Sequence, residues 1–345
     1  MHDARVLVVD DSAAMRALFC DVLEQTKNIR VVGTAANAAE ARDQIAELMP
    51  NVVTLDVEMP GMSGIEFLEE IMTTNPLPVV MLSSLTQSGT ETSLKAFELG
   101  AVECFPKPLK ATPEQFAKTV GKLGKIVLAA ANSNVRDKPR NRGPKAEAEA
   151  GGYASNGKIA AFSASMGGVD ALTEVLSHYP KNCPPTVIIL QTEPALAQMF
   201  IDRANKDFPC AVKAAADGAE LSSGTVYIAS DPGKHVIVEP GAPAKLRLVE
   251  RDPVEGFRPS ATLLFGSIAR ASMPAIGAVL TGMGEDGAKG LKLLQAAGWR
   301  TLAQDRNTAT VPQAPAAAVE AGAVDSELRL EDLAADILAN CGSEG

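Results

Sequence analysis

Residues 5–25 read RVLVVDDSAAMRALFCDVLEQ. A short β-branched, aliphatic run, RVLVV, ends in two aspartates. A stretch with apolar residues at helical spacing follows directly. The same alternation returns four times: VVGTAA then AAEARDQIAELMP, NVVTLDV then GIEFLEEIMTT, PVVMLSS then GTETSLKAFELG, and AVECFPKP then PEQFAKTVGKLGKIVLAAA. Five short strands alternating with five helices predict an α/β, doubly wound (βα)5 domain. In such folds ligands bind beyond the carboxyl ends of the strands.

The residues at those ends carry chemistry. Asp10 and Asp11 follow the first strand, Asp56 ends the third, Ser83 the fourth, and Lys107 follows the fifth. Clustered carboxylates suit a hard cation such as Mg²⁺. The ion and the Lys107 ammonium would neutralise transferring phosphoryl oxygens, the Ser83 hydroxyl would hydrogen-bond one of them, and an aspartate would be the nucleophile. Any one of these acids or serines, taken alone, reads equally well as a helix cap. Five residues at four strand ends read as a site.

Past the fifth helical stretch the pattern fails. NSNVRDKPRNRGPKAEAEAGGYASNG, residues 132–157, is polar and rich in breakers, too poor in apolar surface to offset its ordering entropy. A first domain over 3–122, a linker over 123–157 and a second domain over 158–345 are the expected divisions. The second half resumes with KIAAFSAS, TVIILQ, AVKAAA, VYIAS, HVIVE, KLRLVE, AIGAVLTG and RTLAQD as strand candidates between helical stretches. This predicts a second α/β domain, with a mostly parallel sheet and an antiparallel hairpin between roughly 226 and 250.

Bulk properties narrow the function. The chain of 345 residues is 46% hydrophobic and 21% charged, an ordinary globular composition long enough for two domains. A net charge of −10 argues against a general nucleic-acid binder, which needs clustered Lys and Arg. No apolar run approaches the ~20 residues of a membrane span, and the N-terminus has no signal-peptide pattern. A cytoplasmic protein without membrane insertion is expected. Five scattered cysteines without CxxC spacing are expected to be reduced thiols.

VLVVDDSAAMR, TLDVEMPGMSGIEFL, PVVMLSS and FPKP together resemble a response-regulator receiver domain. The resemblance implies Asp56 as phospho-acceptor, Mg²⁺ held by Asp10, Asp11 and Asp56, Ser83 as the switching hydroxyl and Lys107 as the phosphate contact. It implies a histidine kinase as phosphodonor, and a Lys107–Pro108 bond that is often cis. Where the family has an aromatic three residues before the lysine, this chain has Cys104, with Phe105 beside it.

In the second half, FSASMGGVDAL (162–172) places Ser165 between a strand end and a glycine pair. Small neighbours permit a tight strand-to-helix turn that exposes the hydroxyl, and the helix N-terminus offers N–H groups to an oxyanion. A ligand-binding turn is an equal reading of the motif alone. Downstream, AVLTGMGEDGAKGLKLLQAAGWRTLAQD is strand, Gly-rich loop, helix and strand, with Asp286 in the loop. With DGAELSSGTVYIAS, PGKHVIV and FRPSATLLFGSIA between, this order is similar to the catalytic domain of the chemotaxis protein-glutamate methylesterase (CheB) family. That resemblance implies a serine hydrolase that demethylates glutamyl methyl esters, and deamidates glutamines, on the cytoplasmic domains of chemoreceptors. Phosphorylation would activate it, and the catalytic domain would need no cofactor. It implies Ser165 as nucleophile, Asp286 as triad acid and the Met283 backbone N–H as oxyanion donor.

The chain departs from the family at the third triad member. The family histidine follows a Gln, and here VIILQTEP puts Thr192 at that position. A threonine hydroxyl does not take a proton as imidazole does. Losing the histidine of a serine triad costs about 10⁶ in turnover. The chain's histidines are His2, His178 and His235; His235 and Glu193 are the available substitute bases. Ser163 also replaces a glycine at the elbow, and VPQAPAAA replaces a Gly-Met-Pro stretch. Two functions follow: a phosphorylation-activated methylesterase and deamidase, or an impaired relative acting as a phospho-regulated binding protein or phosphate sink.

Overall fold

The computed structural model describes residues 3–83, 87–107, 113–135 and 153–343. The chain divides into two compact units, residues 1–138 and 139–345.

In the first unit the five expected strands are β1 (Ala4–Val9), β2 (Ile29–Ala35), β3 (Val52–Asp56), β4 (Val79–Ser83) and β5 (Glu103–Pro106). They pair in parallel in the order β2-β1-β3-β4-β5. The helices are α1 (Ala13–Glu24), α2 (Ala38–Leu48), α3 (Gly64–Thr74), α4 (Gln87–Leu99) and α5 (Pro113–Ala131). β3 and β4 are buried along their whole length, as a sheet covered on both faces requires. The Ser12 hydroxyl accepts the Met15 N–H as the cap of α1, so capping falls to Ser12 and leaves Asp10 and Asp11 for other work. Ser63 and Glu66 form a reciprocal capping box on α3.

The expected linker of 123–157 is too long at both ends. α5 continues to Ala131 with Leu123, Ile126, Val127, Ala129 and Ala130 buried. Gly124 lets it approach the α1–β2 turn, because a Cβ there would lie 2.2 Å from Thr26 Oγ1. Residues 153–157 belong to the second unit. Asn156 N–H donates to the Cys341 carbonyl at 2.8 Å, and Ser343 N–H to the Ala154 carbonyl at 2.7 Å.

The second unit contains all eight expected strands: β6 (Ile159–Ala164), β7 (Thr186–Leu190), β8 (Ala211–Ala214), β9 (Thr225–Ala229), β10 (His235–Glu239), β11 (Lys245–Val249), β12 (Ala275–Val279) and β13 (Arg300–Gln304). A further short strand, β14 (Ser326–Leu328), follows. Its helices are α6 (Gly168–Ser177), α7 (Pro194–Asp207), α8 (Ala261–Arg270), α9 (Ala288–Ala296), α10 (Gln313–Glu320) and α11 (Leu330–Cys341). The main sheet is parallel, in the order β14-β13-β12-β6-β7-β9-β8. β9 joins it, so among the named strands the antiparallel part is narrower than 226–250 and is β10 paired with β11. The chain leaves β6 toward β7 on one side and later returns to β12 on the other. The carboxyl end of β6 is therefore a topological switch point, where such sheets open a crevice. Ser165 follows that end directly. Among the described residues no helix is long and apolar enough to cross a membrane.

Candidate functional site

In the first unit, β1 and β3 bring Asp10, Asp11 and Asp56 together. One carboxylate oxygen from each lies within 4.8 Å of the others. Asp10 and Asp56 are buried and Asp11 is exposed. Lys107 Nζ lies 2.8 Å from Asp10 Oδ2 and 2.7 Å from Asp56 Oδ1. Burial pulls the Lys107 ammonium down, but the bonds to Asp10 and Asp56 outweigh it and raise the group above its usual range. Burial raises the Asp56 carboxyl, with Lys107 offsetting part of the rise. The set fits a hard divalent cation: every donor is a carboxylate oxygen, and three carboxylates against one ammonium leave two negative charges for a dication to balance.

Backbone contacts hold this arrangement. Asp10 Oδ1 accepts the Ser12 N–H at 3.0 Å, and Arg16 donates to the carbonyls of Asp10 and Asp11 at 2.6 and 3.0 Å. A Cβ on Gly64 would lie 1.8 Å from the Asp56 carbonyl oxygen, so only glycine lets α3 start this close to β3. Ser83 is buried at the end of β4, and its carbonyl accepts the Lys107 N–H at 2.8 Å. Cys104 and Phe105 are both buried on β5, and the Cys104 thiol faces the Ser93 carbonyl at 3.7 Å. Pro108, and with it the Lys107–Pro108 bond, lies outside the described residues.

In the second unit Ser165 occupies a tight turn between β6 and α6. Its carbonyl accepts the Gly168 N–H at 2.7 Å, and its own N–H donates to the Thr281 carbonyl at 3.0 Å. Gly167 stands at φ +74°, and a Cβ there would lie 2.6 Å from Thr310 Cβ. The loop after β12 closes on the serine. A Cβ on Gly282 would lie 2.3 Å from Ser165 Oγ, so glycine is required for that approach. The Met283 N–H donates to Ser165 Oγ at 3.0 Å. Thr281 clamps the two loops: its hydroxyl donates to the Met166 carbonyl at 2.9 Å and accepts the Val311 N–H at 2.8 Å. Ser163, in the position expected of an elbow glycine, sits buried in β6 with its carbonyl accepting the Leu280 N–H.

Asp286 is buried and saturated. Its Oδ1 accepts from Ser260 Oγ at 2.7 Å and Thr262 N at 3.1 Å; its Oδ2 accepts from Ala261 N and Gln191 Nε2, each at 2.8 Å. Three of the four donors belong to the start of α8, so the carboxylate anchors that helix N-terminus. Gln191 links it to the serine strand, since the Gln191 N–H donates to the Ala164 carbonyl at 3.0 Å. Its amide also donates to the Pro259 carbonyl.

Thr192 follows Gln191 just past β7, beside the end of β6. Its N–H turns back to the Leu190 carbonyl. Glu193 is the half-buried first residue of the α7 turn, and its side chain makes no capping bond to that helix. His235 is fully buried with both ring nitrogens engaged: Nδ1 accepts the Ser260 N–H at 3.2 Å, and Nε2 donates to the Asp252 carbonyl at 3.1 Å. That pairing assigns His235 to holding the α8 start. His178 ends α6, ten residues from the serine turn, with Nδ1 against the Glu174 carbonyl. At 1.5 Å per residue the helix carries it about 15 Å away. His2 lies outside the described residues.

The geometry thus joins a strand-end serine, a backbone donor and a buried aspartate at the switch point of one sheet, and an acid–lysine cluster at the strand ends of another. The sequence profile of the CheB methylesterase family matches residues 160–337, just over half the chain. The chain belongs to the CheB methylesterase family. The response regulator receiver domain profile matches residues 6–119, ending inside α5. The protein-glutamate methylesterase/protein-glutamine glutaminase of Agrobacterium fabrum is 43% identical over 340 residues, 97% of this chain and 96% of that one. Protein-glutamate methylesterase/protein-glutamine glutaminase 1 of Caulobacter vibrioides is 44% identical, covering 98% of each chain. The crystal structure of the Thermotoga maritima CheB methylesterase catalytic domain superposes with a TM-score of 0.51 at 28% identity, over 53% of this chain and 98% of that one.

Within this CheB framework several residues around the serine carry no motif of their own. Thr281, Val311, Gln191 and Ser260 act through backbone groups or through partners more than 25 residues away in sequence. Only the small size of residues 282 and 284 hinted that a loop closes on Ser165.

Proposed function

We propose that this CheB-family chain is a phosphorylation-regulated protein-glutamate methylesterase and protein-glutamine glutaminase acting on chemoreceptor cytoplasmic domains. The observation that carries this reading is the Met283 N–H at 3.0 Å from Ser165 Oγ, a backbone donor beside the oxygen next to which the oxyanion would form. Ser165 Oγ attacks the γ-carbonyl carbon of a glutamyl methyl ester. The Met283 N–H stabilises the oxyanion, the C–O bond to the methoxy group breaks as the serine's proton passes to that oxygen and methanol leaves, and water hydrolyses the acyl-serine to the free acid and the free serine. With a glutamine side chain the leaving group is ammonia.

In the first unit Asp56 accepts a phosphoryl group from a histidine kinase. Asp10, Asp11 and Asp56 would hold Mg²⁺, with Lys107 and Ser83 contacting the transferred oxygens. Bound Mg²⁺ supplies charge neutralisation for phosphoryl transfer. The chain then works in the cytoplasm, where receptor signalling domains and kinase are found.

A second reading rests on an observation of its own. Thr192 stands at the family's histidine position, and His235 has committed both ring nitrogens to Asp252 and Ser260. On this reading the serine has an oxyanion donor but no imidazole base, and the chain is a phospho-regulated binding protein or phosphate sink. The test is methanol release from methylated receptor fragments by acetyl-phosphate-treated protein, with Ser165→Ala and Thr192→His alongside. Release that Ser165→Ala abolishes establishes the esterase and points to Glu193 as the base to mutate next. Release only from Thr192→His establishes the second reading. No release from any of them sinks the catalytic assignment of Ser165.

A further inference from the structure

The loop that carries the oxyanion donor is anchored near its ends by Thr281 and Asp286 and rich in glycine between them. Residues 281–287 contain Gly282, Gly284 and Gly287, and the last two stand at φ +78° and +101°. Glycine backbone has more conformations to lose than any other. Yet to act as a preorganised donor the Met283 N–H must stay beside Ser165 Oγ, where the oxyanion of an acyl carbon bonded to that oxygen would form. The stretch between those anchors must be restricted too.

The neighbours of Gly284 supply that restriction from two sides. Its N–H donates to Gln313 Oε1 at 3.3 Å. Against its α-carbon lies the Phe257 ring: a Cβ on Gly284 would fall 2.5 Å from Phe257 Cζ and 3.1 Å from Cε2. The ring itself is fixed. Val254 and Phe257 exchange both backbone hydrogen bonds, at 3.0 and 2.9 Å, around a turn whose central residues Glu255 and Gly256 have φ +54° and +86°. The segment is pinned at each end, by the Asp252 carbonyl on His235 Nε2 and by the Pro259 carbonyl on Gln191 Nε2. Gln191 also holds Asp286. The aromatic ring is thus carried on a braced hairpin turn and presses on the residue next to the oxyanion donor.

We propose that Phe257 is a positioning residue for the oxyanion hole: its ring, seated on Gly284, holds the Gly-rich loop so that the Met283 N–H points at Ser165 Oγ. This rests on the reading of Ser165 as nucleophile. The ring acts through Gly284. Its loss leaves the donor in the chain but spreads its orientations. Removing an oxyanion donor outright costs roughly 10²–10³ in turnover. Loosening it costs less, on the order of tenfold in affinity for a tetrahedral adduct.

The experiment needs no turnover. Propylboronic acid puts boron in place of the attacked carbonyl carbon, its three carbons standing for Cγ, Cβ and Cα of a glutamyl residue, and forms a B–O bond to a serine Oγ, releasing the serine proton to buffer and leaving a tetrahedral boronate. ¹¹B NMR reads the affinity of full-length wild type, Ser165→Ala, Phe257→Ala and Phe257→Leu. Deuterium exchange of the peptide over 281–287 is read in parallel, against a peptide from α8 as internal control. The expected result is an adduct that Ser165→Ala abolishes and that Phe257→Ala weakens about tenfold. Exchange over 281–287 should rise while the α8 peptide stays unchanged, and Phe257→Leu should recover most of both effects. A merely structural role would move the α8 peptide as well, and that result overturns the proposal. An adduct with Phe257→Ala within twofold of wild type, and unchanged exchange, overturns the role of Phe257 alone. Absence of an adduct in wild type and Ser165→Ala alike sinks the nucleophile reading and the proposal with it. If the alanine variant loses its native Trp299 fluorescence, Phe257→Val makes the same comparison.

Discussion

Replacing Asp286 by asparagine separates a structural role from a catalytic one. Each carboxylate oxygen accepts two hydrogen bonds, Oδ1 from Ser260 Oγ and Thr262 N, Oδ2 from Ala261 N and Gln191 Nε2. Asparagine can satisfy one pair, and its NH₂ then faces the other two donors; flipping the amide only exchanges which pair is lost. A buried polar group left unsatisfied costs about 1–3 kcal/mol. Losing a negative charge at a helix N-terminus adds about 0.3–1 kcal/mol. Because the mutated side chain can shift slightly, the expected total is about 3–5 kcal/mol, a large share of the roughly 5–15 kcal/mol that holds a domain together. Trp299 is the chain's single tryptophan and packs against the core of the second unit, so its fluorescence follows that unit alone. This matters because a two-unit chain does not unfold as one transition. At an m-value of about 2 kcal/mol/M the urea midpoint should fall by about 2 M. A fall below about 0.5 M would refute the argument that Asp286 anchors α8.

Three further outcomes are expected. Gly64→Ala drives a Cβ to 1.8 Å from the Asp56 carbonyl, against backbone that cannot yield, and should destabilise the receiver unit by about 3 kcal/mol; unchanged deuterium exchange in β3 would contradict it. Lys107→Met removes the cation that competes for Asp10 and Asp56, so Mg²⁺ should bind about tenfold more tightly by calorimetry while acetyl-phosphate labelling of Asp56 falls; unchanged or weaker Mg²⁺ binding counts against the cluster as the metal site. Burial pushes the Cys341 thiol up to about 11. In native protein at pH 8 its thiolate fraction is then about 10⁻³, against about a quarter for a free cysteine, and iodoacetamide labelling should be at least about 200-fold slower. The rate should climb about tenfold per pH unit until the thiol's own pKa. Peptide mapping that shows fast labelling at pH 8 would exclude this.

Much of the site was legible because chemistry and register coincide in a parallel sheet. VLVVDD and VVTLD are apolar runs that stop at acids, and parallel pairing of β1 with β3 brings those stops together whatever the loops do. Ser165 was legible for the same reason, as the residue after β6. The helical stretch to Ala131 was legible as well, but the contact that seats it was not, because Gly124 gains its meaning only when Thr26 is seen against it. β14 is three residues long and only partly buried, so it has no apolar pattern to detect.

The sequence by itself determined the alternation of strands and helices, the division into two α/β units, the acid–lysine cluster and the absence of a histidine at position 192. These depend on local residue order, and periodicity preserves them. Only the tertiary structure decided what His235 and Asp286 do. Each is satisfied by groups from segments distant in sequence: His235 by Ser260 and Asp252, Asp286 by Gln191 and the first turn of α8. A hydrogen bond depends on where its partner lies in space, and no spacing along the chain records that. The same holds for the Met283 N–H, a backbone group present at nearly every residue, which meets Ser165 Oγ only because Gly282 lets the loop close on that serine.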